Sequence, residues 1–123
     1  MPRTKKRKTK RKKKKSCIFC KIVAGETDTE ILYENENLAV FWDINPKAPV
    51  HLLIVPKKHI ETIHEVSENE KEILGDLLFV AGRMAKKMKI DKGYKLLFNI
   101  GKKAGQEIDH IHLHLMGGWK KPQ

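Results

Sequence analysis

The run His110-Ile111-His112-Leu113-His114-Leu115-Met116 constrains the fold more than any other stretch. Three histidines alternate with three aliphatics at strict every-other-residue spacing, the side-chain period of a β-strand. One face of such a strand shows three imidazoles, and the other buries Ile111, Leu113 and Leu115. Imidazole titrates near neutrality, ligates metals and can act as a nucleophile. A lone histidine is usually unremarkable, but three in register on one face point to chemistry. The plainer alternative is a histidine-rich surface strand that binds metal without catalysis.

A chain of 123 residues suits one domain able to fold alone or as a dimer. Its net charge of +11 is unevenly placed. Residues 1–16 hold 11 of the 26 Lys and Arg and no acid, leaving 15 basic and 15 acidic residues in the remainder. The basic character therefore belongs to a tail. Such a run repels itself and buries nothing, so residues 1–16 are expected to be disordered and residues 17–123 to form the domain. Residues 3–15 suit nonspecific binding of nucleic acid or another polyanion through phosphate contacts. No apolar run reaches the ~20 residues of a membrane span, and the first 16 lack the apolar core of a secretory signal. Two cysteines argue against a disulfide framework and for a reducing compartment, here taken as the cytoplasm.

Cys17-Ile18-Phe19-Cys20 supplies half of a tetrahedral metal site, or a redox pair, or two packed thiols. A short helical turn through Lys21–Gly25 follows it. Strands are expected at 31–34, 38–44, 50–55 and 95–100. Asp43, at the end of the second, either caps the following turn or binds sugar hydroxyls. Ser67 and Glu70 read as a capping box opening a long helix to about Lys89. Its stripe of Ile73, Leu74, Leu77, Leu78, Ala81, Met84, Ala85 and Met88 marks scaffold. Gly75 and Gly82 share a face of it and suit close packing.

The stretches Phe-Trp-Asp-Ile (41–44), Ala-Pro-Val-His-Leu-Leu-Ile-Val-Pro-Lys-Lys-His (48–59), Asn99, Gly105-Gln106 and the triad with Gly117-Gly118-Trp119 together resemble the histidine triad family. The similarity spans residue 17 to about 119, and within the family it is to the purine-nucleoside phosphoramidase (Hint-like) branch. The resemblance implies an α+β fold: a five-stranded, mostly antiparallel sheet with two helices, two sheets joining in a homodimer. It implies hydrolysis of the P–N bond of a purine nucleoside 5′-phosphoramidate through a nucleotidyl-histidine intermediate. His112 would be the nucleophile. His51 and His114 would contact phosphate oxygens, His114 also serving as acid for the leaving amine. Asn99 and the Gly105-Gln106 backbone would polarise phosphoryl oxygens, Asp43 would hold the ribose, and Ile44 and Ile22 would neighbour the base. Cys17, Cys20, His59 and His110 would hold a structural zinc ion, with no cofactor required for the chemical step.

Two features depart from the family. Glu107 stands where a Ser or Thr donor is usual, and a carboxylate only accepts hydrogen bonds and repels phosphate. The chain also ends soon after Trp119, so the segment that shapes leaving-group choice in longer members is mostly missing. Two alternatives follow: a dinucleoside polyphosphate hydrolase, or a nucleotide-binding adaptor with weak turnover. A purely structural zinc protein would not require Asp43, His51 or Asn99. Base preference, the leaving group and the tail's target are not legible from the residues.

Overall fold

The computed structural model describes residues 16–123. The expected disordered tail and its polyanion site lie outside the described residues, Ser16 apart. The elements are α1 (Ile18–Val23), β1 (Tyr33–Glu34), β2 (Leu38–Trp42), β3 (Val50–Pro56), α2 (Lys71–Lys87), β4 (Tyr94–Leu97) and β5 (Leu113–Gly117). Short 3-10 turns lie at Ile63–Glu65, Glu68–Glu70 and Lys102–Ala104. The five strands form one sheet in the order β1-β2-β3-β5-β4, and every pairing is antiparallel. The expected α+β architecture is the one observed.

Alternation along the strands sends side chains to opposite faces, and each face has its own helix. Leu38, Val40, Leu52, Ile54, Leu113 and Leu115 pack with Leu77, Ala81, Met84 and Ala85 of α2. Phe41, Leu53 and Val55 pack with Cys17, Phe19, Cys20 and Ile22 of α1. The histidine face of the triad run is therefore not a solvent face: His110 is 0% and His112 8% exposed.

The helix opens as expected, with the Ser67 N–H donating to Glu70 Oε1 at 3.0 Å, but its first turn is 3-10 and the α-helix begins at Lys71. It stops at Lys87 rather than Lys89, because Lys89 is left-handed (φ 63). The N–H of Lys89 then reaches Lys86 O, and that of Ile90 reaches Ala85 O, the paired bonds of a Schellman stop. Among the described residues, a Cβ added at Gly82 would meet the Tyr94 hydroxyl at 3.8 Å and one added at Gly75 would meet nothing within 4 Å, so the expected close packing at these glycines is not seen there. Gly117 is closely packed: an added Cβ would lie 2.7 Å from Ile90 Cδ1 and 3.2 Å from the Gly93 carbonyl oxygen.

The triad strand is shorter than expected. Its ladder with β3 begins at Leu113, opposite Ile54. Upstream, the chain turns away from β3, and the Ile111 N–H bonds Ile60 O instead. Only His114 of the three histidines lies in the sheet proper; β4 also ends opposite it, at Leu97, so Asn99 falls in the following loop. Phe98, Asn99 and Ile100, expected as strand, lie past the end of the ladder; Asn99 and Ile100 would face residues before β5 begins.

Candidate functional site: a histidine cleft beside a thiol-imidazole cluster

Two groups of polar side chains meet on the α1 face. The first is Cys17, Cys20, His59 and His110, all buried, with ligand atoms all within 4.8 Å of one another. Sγ of Cys17 lies 3.3 Å from His110 Nδ1, and Sγ of Cys20 lies 3.2 Å from His59 Nδ1 and 3.7 Å from His110 Nδ1. Tetrahedral zinc with S and N ligands separates neighbouring ligand atoms by about 3.5 Å, so this spacing fits. Proton placement fits too. Nε2 of His110 donates to Pro56 O at 2.8 Å, which leaves Nδ1 as the lone-pair atom facing the thiols. Burial, opposed by that carbonyl, lowers the His110 pKa to about 4, keeping it in the neutral form a metal requires. The four residues could hold one metal ion, and their donor set favours zinc.

The second group lines a cleft of about 260 Å³. His112, His114, Asn99, Gly105 and Glu107 form its polar wall; Ile18, Phe19, Ile22, Phe41 and Ile44 form its apolar one. Its histidines are held in defined states. His112 Nδ1 lies 2.7 Å from the carbonyl oxygen of His110 and donates to it, so Nε2 carries the free lone pair. Burial lowers the His112 pKa, while the His110 carbonyl, Asp43 and Glu107 oppose the shift. Burial lowers His114 to about 4, with His112 and His51 adding to the effect. Burial also lowers His51, against the pull of Asp43. At neutral pH all three imidazoles are uncharged. A neutral imidazole with its lone pair aimed into a cleft is a competent nucleophile.

Several expected residues sit differently from their expected roles. His51 is 1% exposed and stands behind His114, Nε2 to Nδ1 at 2.9 Å, rather than in the cleft wall. Of the two readings of Asp43, the turn cap is the one seen: Oδ1 takes the Asn45 N–H at 2.8 Å, while Oδ2 faces His51 and His114. Gln106 is a loop staple. Its Oε1 accepts the Gly101 N–H, and its Nε2 donates to Glu61 O and Ile108 O. The backbone N–H groups of Gly105 and Gln106 already bond Lys102 O and Gly101 O, so polarising phosphate from there requires exchange of those bonds. Asn99 Nδ2 lies 3.5 Å from His114 Nε2. Ile22 is buried in the wall, and Ile44 is 90% exposed at the lip. Glu107 is exposed, lining both the cleft and a hollow that borders Cys17 and His59.

Two contributors escaped the sequence reading. Phe19 packs edge-on against His110 and His112, ring centroids 5.8 and 5.0 Å apart, joining the two groups. Its place between the two cysteines was the available signal. The Lys47 backbone N–H donates to His51 Nδ1 at 2.9 Å, and a main-chain donor leaves no trace in residue type. That bond also decides a question of metals. Asp43, His51 and His114 lie close enough to hold an ion. With Nδ1 accepting from Lys47, however, His51 carries its proton on Nε2, the atom an ion would need.

An antiparallel sheet lies between two helices, and an ordered row of histidines stands beside an apolar slot on one of its faces. The HIT domain model matches residues 24–121, and the chain belongs to the HIT family. It is 47% identical over 104 residues to an uncharacterized HIT-like protein of Buchnera aphidicola, covering 84% of this chain and 93% of that protein. It is 40% identical over 102 residues to the purine nucleoside phosphoramidase of Escherichia coli, covering 82% of this chain and 86% of that protein. The crystal structure of a HIT family hydrolase from Legionella pneumophila superposes with a TM-score of 0.82 at 44% identity, covering 87% of this chain and 96% of that one.

Proposed function

We propose that the protein hydrolyses the P–N bond of purine nucleoside 5′-phosphoramidates, with His112 as nucleophile. The observation that carries this reading is the hydrogen bond from His112 Nδ1 to the His110 carbonyl, which leaves Nε2 free at the cleft. The base would lie against Ile22, Phe19 and Ile44, and the ribose hydroxyls would meet Asp43 Oδ2. The α-phosphorus would then sit before His112. Nε2 attacks, a P–N(His) bond forms and the P–N(amine) bond breaks. The amine leaves neutral after taking a proton from solvent, with His114, on the leaving side with Asn99, hydrogen-bonded to it, and a proton returns to solvent when water attacks. Water then displaces the nucleotide from His112, giving nucleoside monophosphate and regenerating the imidazole. His112 remains hydrogen-bonded to His110 O throughout, which stabilises the positive charge of the nucleotidylated ring.

The thiol-imidazole cluster would hold a structural zinc ion, closing the fold rather than entering the reaction. Bound there, the ion would fix His110, and through its carbonyl the orientation of His112. Among the described residues no helix is long and apolar enough to cross a membrane. Two cysteines without a disulfide framework suit a reducing compartment, and the proposal places the protein in the cytoplasm. A homodimer is also part of the proposal: β4 is an edge strand with Leu96 and Leu97 exposed, and Gly75 and Leu78 are exposed on α2. Unpaired strand edges of this kind are what sheets join through. The test is mass spectrometry of enzyme quenched in acid during turnover of adenosine 5′-phosphoramidate. A nucleotidyl adduct on the peptide containing His112 is expected, and its absence, with turnover intact, removes the covalent route.

A further inference from the structure

The Lys47 N–H occupies Nδ1 of His51, so the single proton of that neutral ring sits on Nε2. This one N–H faces two acceptors: His114 Nδ1 at 2.9 Å and Asp43 Oδ2 at 3.3 Å. His51 is buried, and Asp43 Oδ1 is already taken by Asn45, so Oδ2 is the carboxylate oxygen that competes with His114. A charged acceptor draws a hydrogen bond more strongly than a neutral ring nitrogen, and that offsets its greater distance.

We propose that ribose hydroxyls bound at Asp43 Oδ2 steer the His51 proton toward His114, so that sugar recognition orders the leaving-group side of the cleft. This rests on the reading above, in which the ribose lies at Asp43. Hydroxyls donating to Oδ2 use up its accepting capacity, and the His51 N–H then bonds His114 alone. A neutral His114 whose Nδ1 accepts must hold its own proton on Nε2. That atom faces the cleft beside the Asn99 amide, whose oxygen, after a half-turn of the side chain, accepts a hydrogen bond from it until the amine takes its place. It is the form of His114 that donates toward the departing amine. With Oδ2 empty, the His51 N–H is shared between Asp43 and His114, and its hold on the His114 tautomer is weaker. Asp43 is thus a positioning residue for a proton two rings away, as well as a sugar contact. Removing the hydroxyls should lower kcat, where a contact used only for binding would raise KM alone.

The experiment compares adenosine 5′-phosphoramidate with its 2′,3′-dideoxy analogue, carrying the same amine, on the wild type and on Asp43→Asn. The wild type should lose roughly tenfold in kcat on the dideoxy substrate, the effect of misplacing about one hydrogen bond. Asparagine keeps Oδ1 for Asn45 but presents N–H groups where Oδ2 stood. It cannot accept from His51, so the kcat ratio of the two substrates should fall to near one. A wild-type kcat indifferent to the hydroxyls, or a ratio that persists in Asp43→Asn, overturns the coupling. If neither substrate is turned over, the functional reading fails instead, and a second measurement still tests the coupling. In nitrogen-15-labelled wild type, the scalar coupling between His51 Nε2 and His114 Nδ1 across their hydrogen bond should be larger with AMP bound than with 2′,3′-dideoxy-AMP. Equal couplings refute it.

Discussion

His112 Nδ1 stands 2.7 Å from the carbonyl oxygen of His110, so the cleft histidine takes its orientation from a residue of the buried thiol-imidazole cluster. The same ring receives the edge of Phe19 on α1. Held from two sides, it presents only Nε2 to a substrate. His112→Ala should therefore lose roughly 10³-fold or more in turnover while still binding nucleoside monophosphate, because the two-step path disappears and the apolar slot remains. Steady-state kinetics with calorimetric titration of AMP checks both halves; substantial residual turnover would contradict the assignment.

Metal content is the second expectation. Elemental analysis of the purified full-length protein should find about one zinc per chain, the stoichiometry of one Cys₂His₂ set. Cys17→Ser with Cys20→Ser should lower Tm by more than it lowers kcat, since the cluster joins α1 to the run before β5. Metal-free protein with an unchanged Tm would rule the site out.

The pH dependence of stability has a definite sign. His51 and His114 are uncharged in the fold, with pKa values lowered by burial, that of His114 to about 4. Their unfolded value is 6.5. Below that pH the unfolded chain binds protons that the folded chain refuses, so stability declines as pH falls from 6.5 toward 4. At lower pH the folded His114 is protonated as well and contributes no further change. The urea midpoint should drop between pH 7 and 4.5, and His114→Asn should shrink that drop. An equal drop in both proteins would show that His114 does not contribute.

The tail gives a fourth. Deleting residues 1–15 should abolish retention on heparin and leave phosphoramidate kinetics nearly intact, because the rest of the chain is formally neutral. Retention of the full chain should weaken steeply with salt, as release of counterions requires. Equal retention of the truncated protein at low salt would move the polyanion site into the domain.

Glu107 gives a fifth. Its charge raises the His112 pKa against burial, and it lines the cleft together with Asn99 and Gly105. A carboxylate there should favour amine leaving groups with a distal positive charge and disfavour anionic ones, which also weighs against dinucleoside polyphosphates as substrates. On Glu107→Ser, the preference for a lysine over a neutral-amine phosphoramidate in kcat/KM should fall by roughly tenfold, the scale of one charge-assisted contact. Because Glu107 is exposed, solvent screening sets the upper end of that effect. An unaltered ratio would show that the charge takes no part in selectivity.

Periodicity made the sheet and long helix legible. The alternation in 110–116 and 50–55 assigned each residue to its correct face. Where strands end was less legible, because an end depends on a partner far away in sequence. His110 and Ile111 carry strand character but lose the ladder when the chain turns toward Ile60. The lysine in the left-handed position at 89 hid the helix stop, which glycine usually marks. At the site, residue identity pointed to the histidines and cysteines but not to how their protons are arranged. That arrangement is set largely by main-chain groups, the Lys47 N–H and the carbonyls of Pro56 and His110, which every residue type shares.

Cys17 and His110 touch at 3.3 Å across 93 residues of chain. On a ribosome adding about 5–20 residues per second, the two thiols emerge roughly 5–20 s before His110 does. His59 appears partway through that interval and can offer only an incomplete set of donors. For that time Cys17 and Cys20 are unburied nucleophiles on a nascent chain, open to oxidants and to stray metals. His110, in the run just before the last strand, completes the cluster around them, so damage at these thiols should depend on synthesis rate more than on the age of the folded protein.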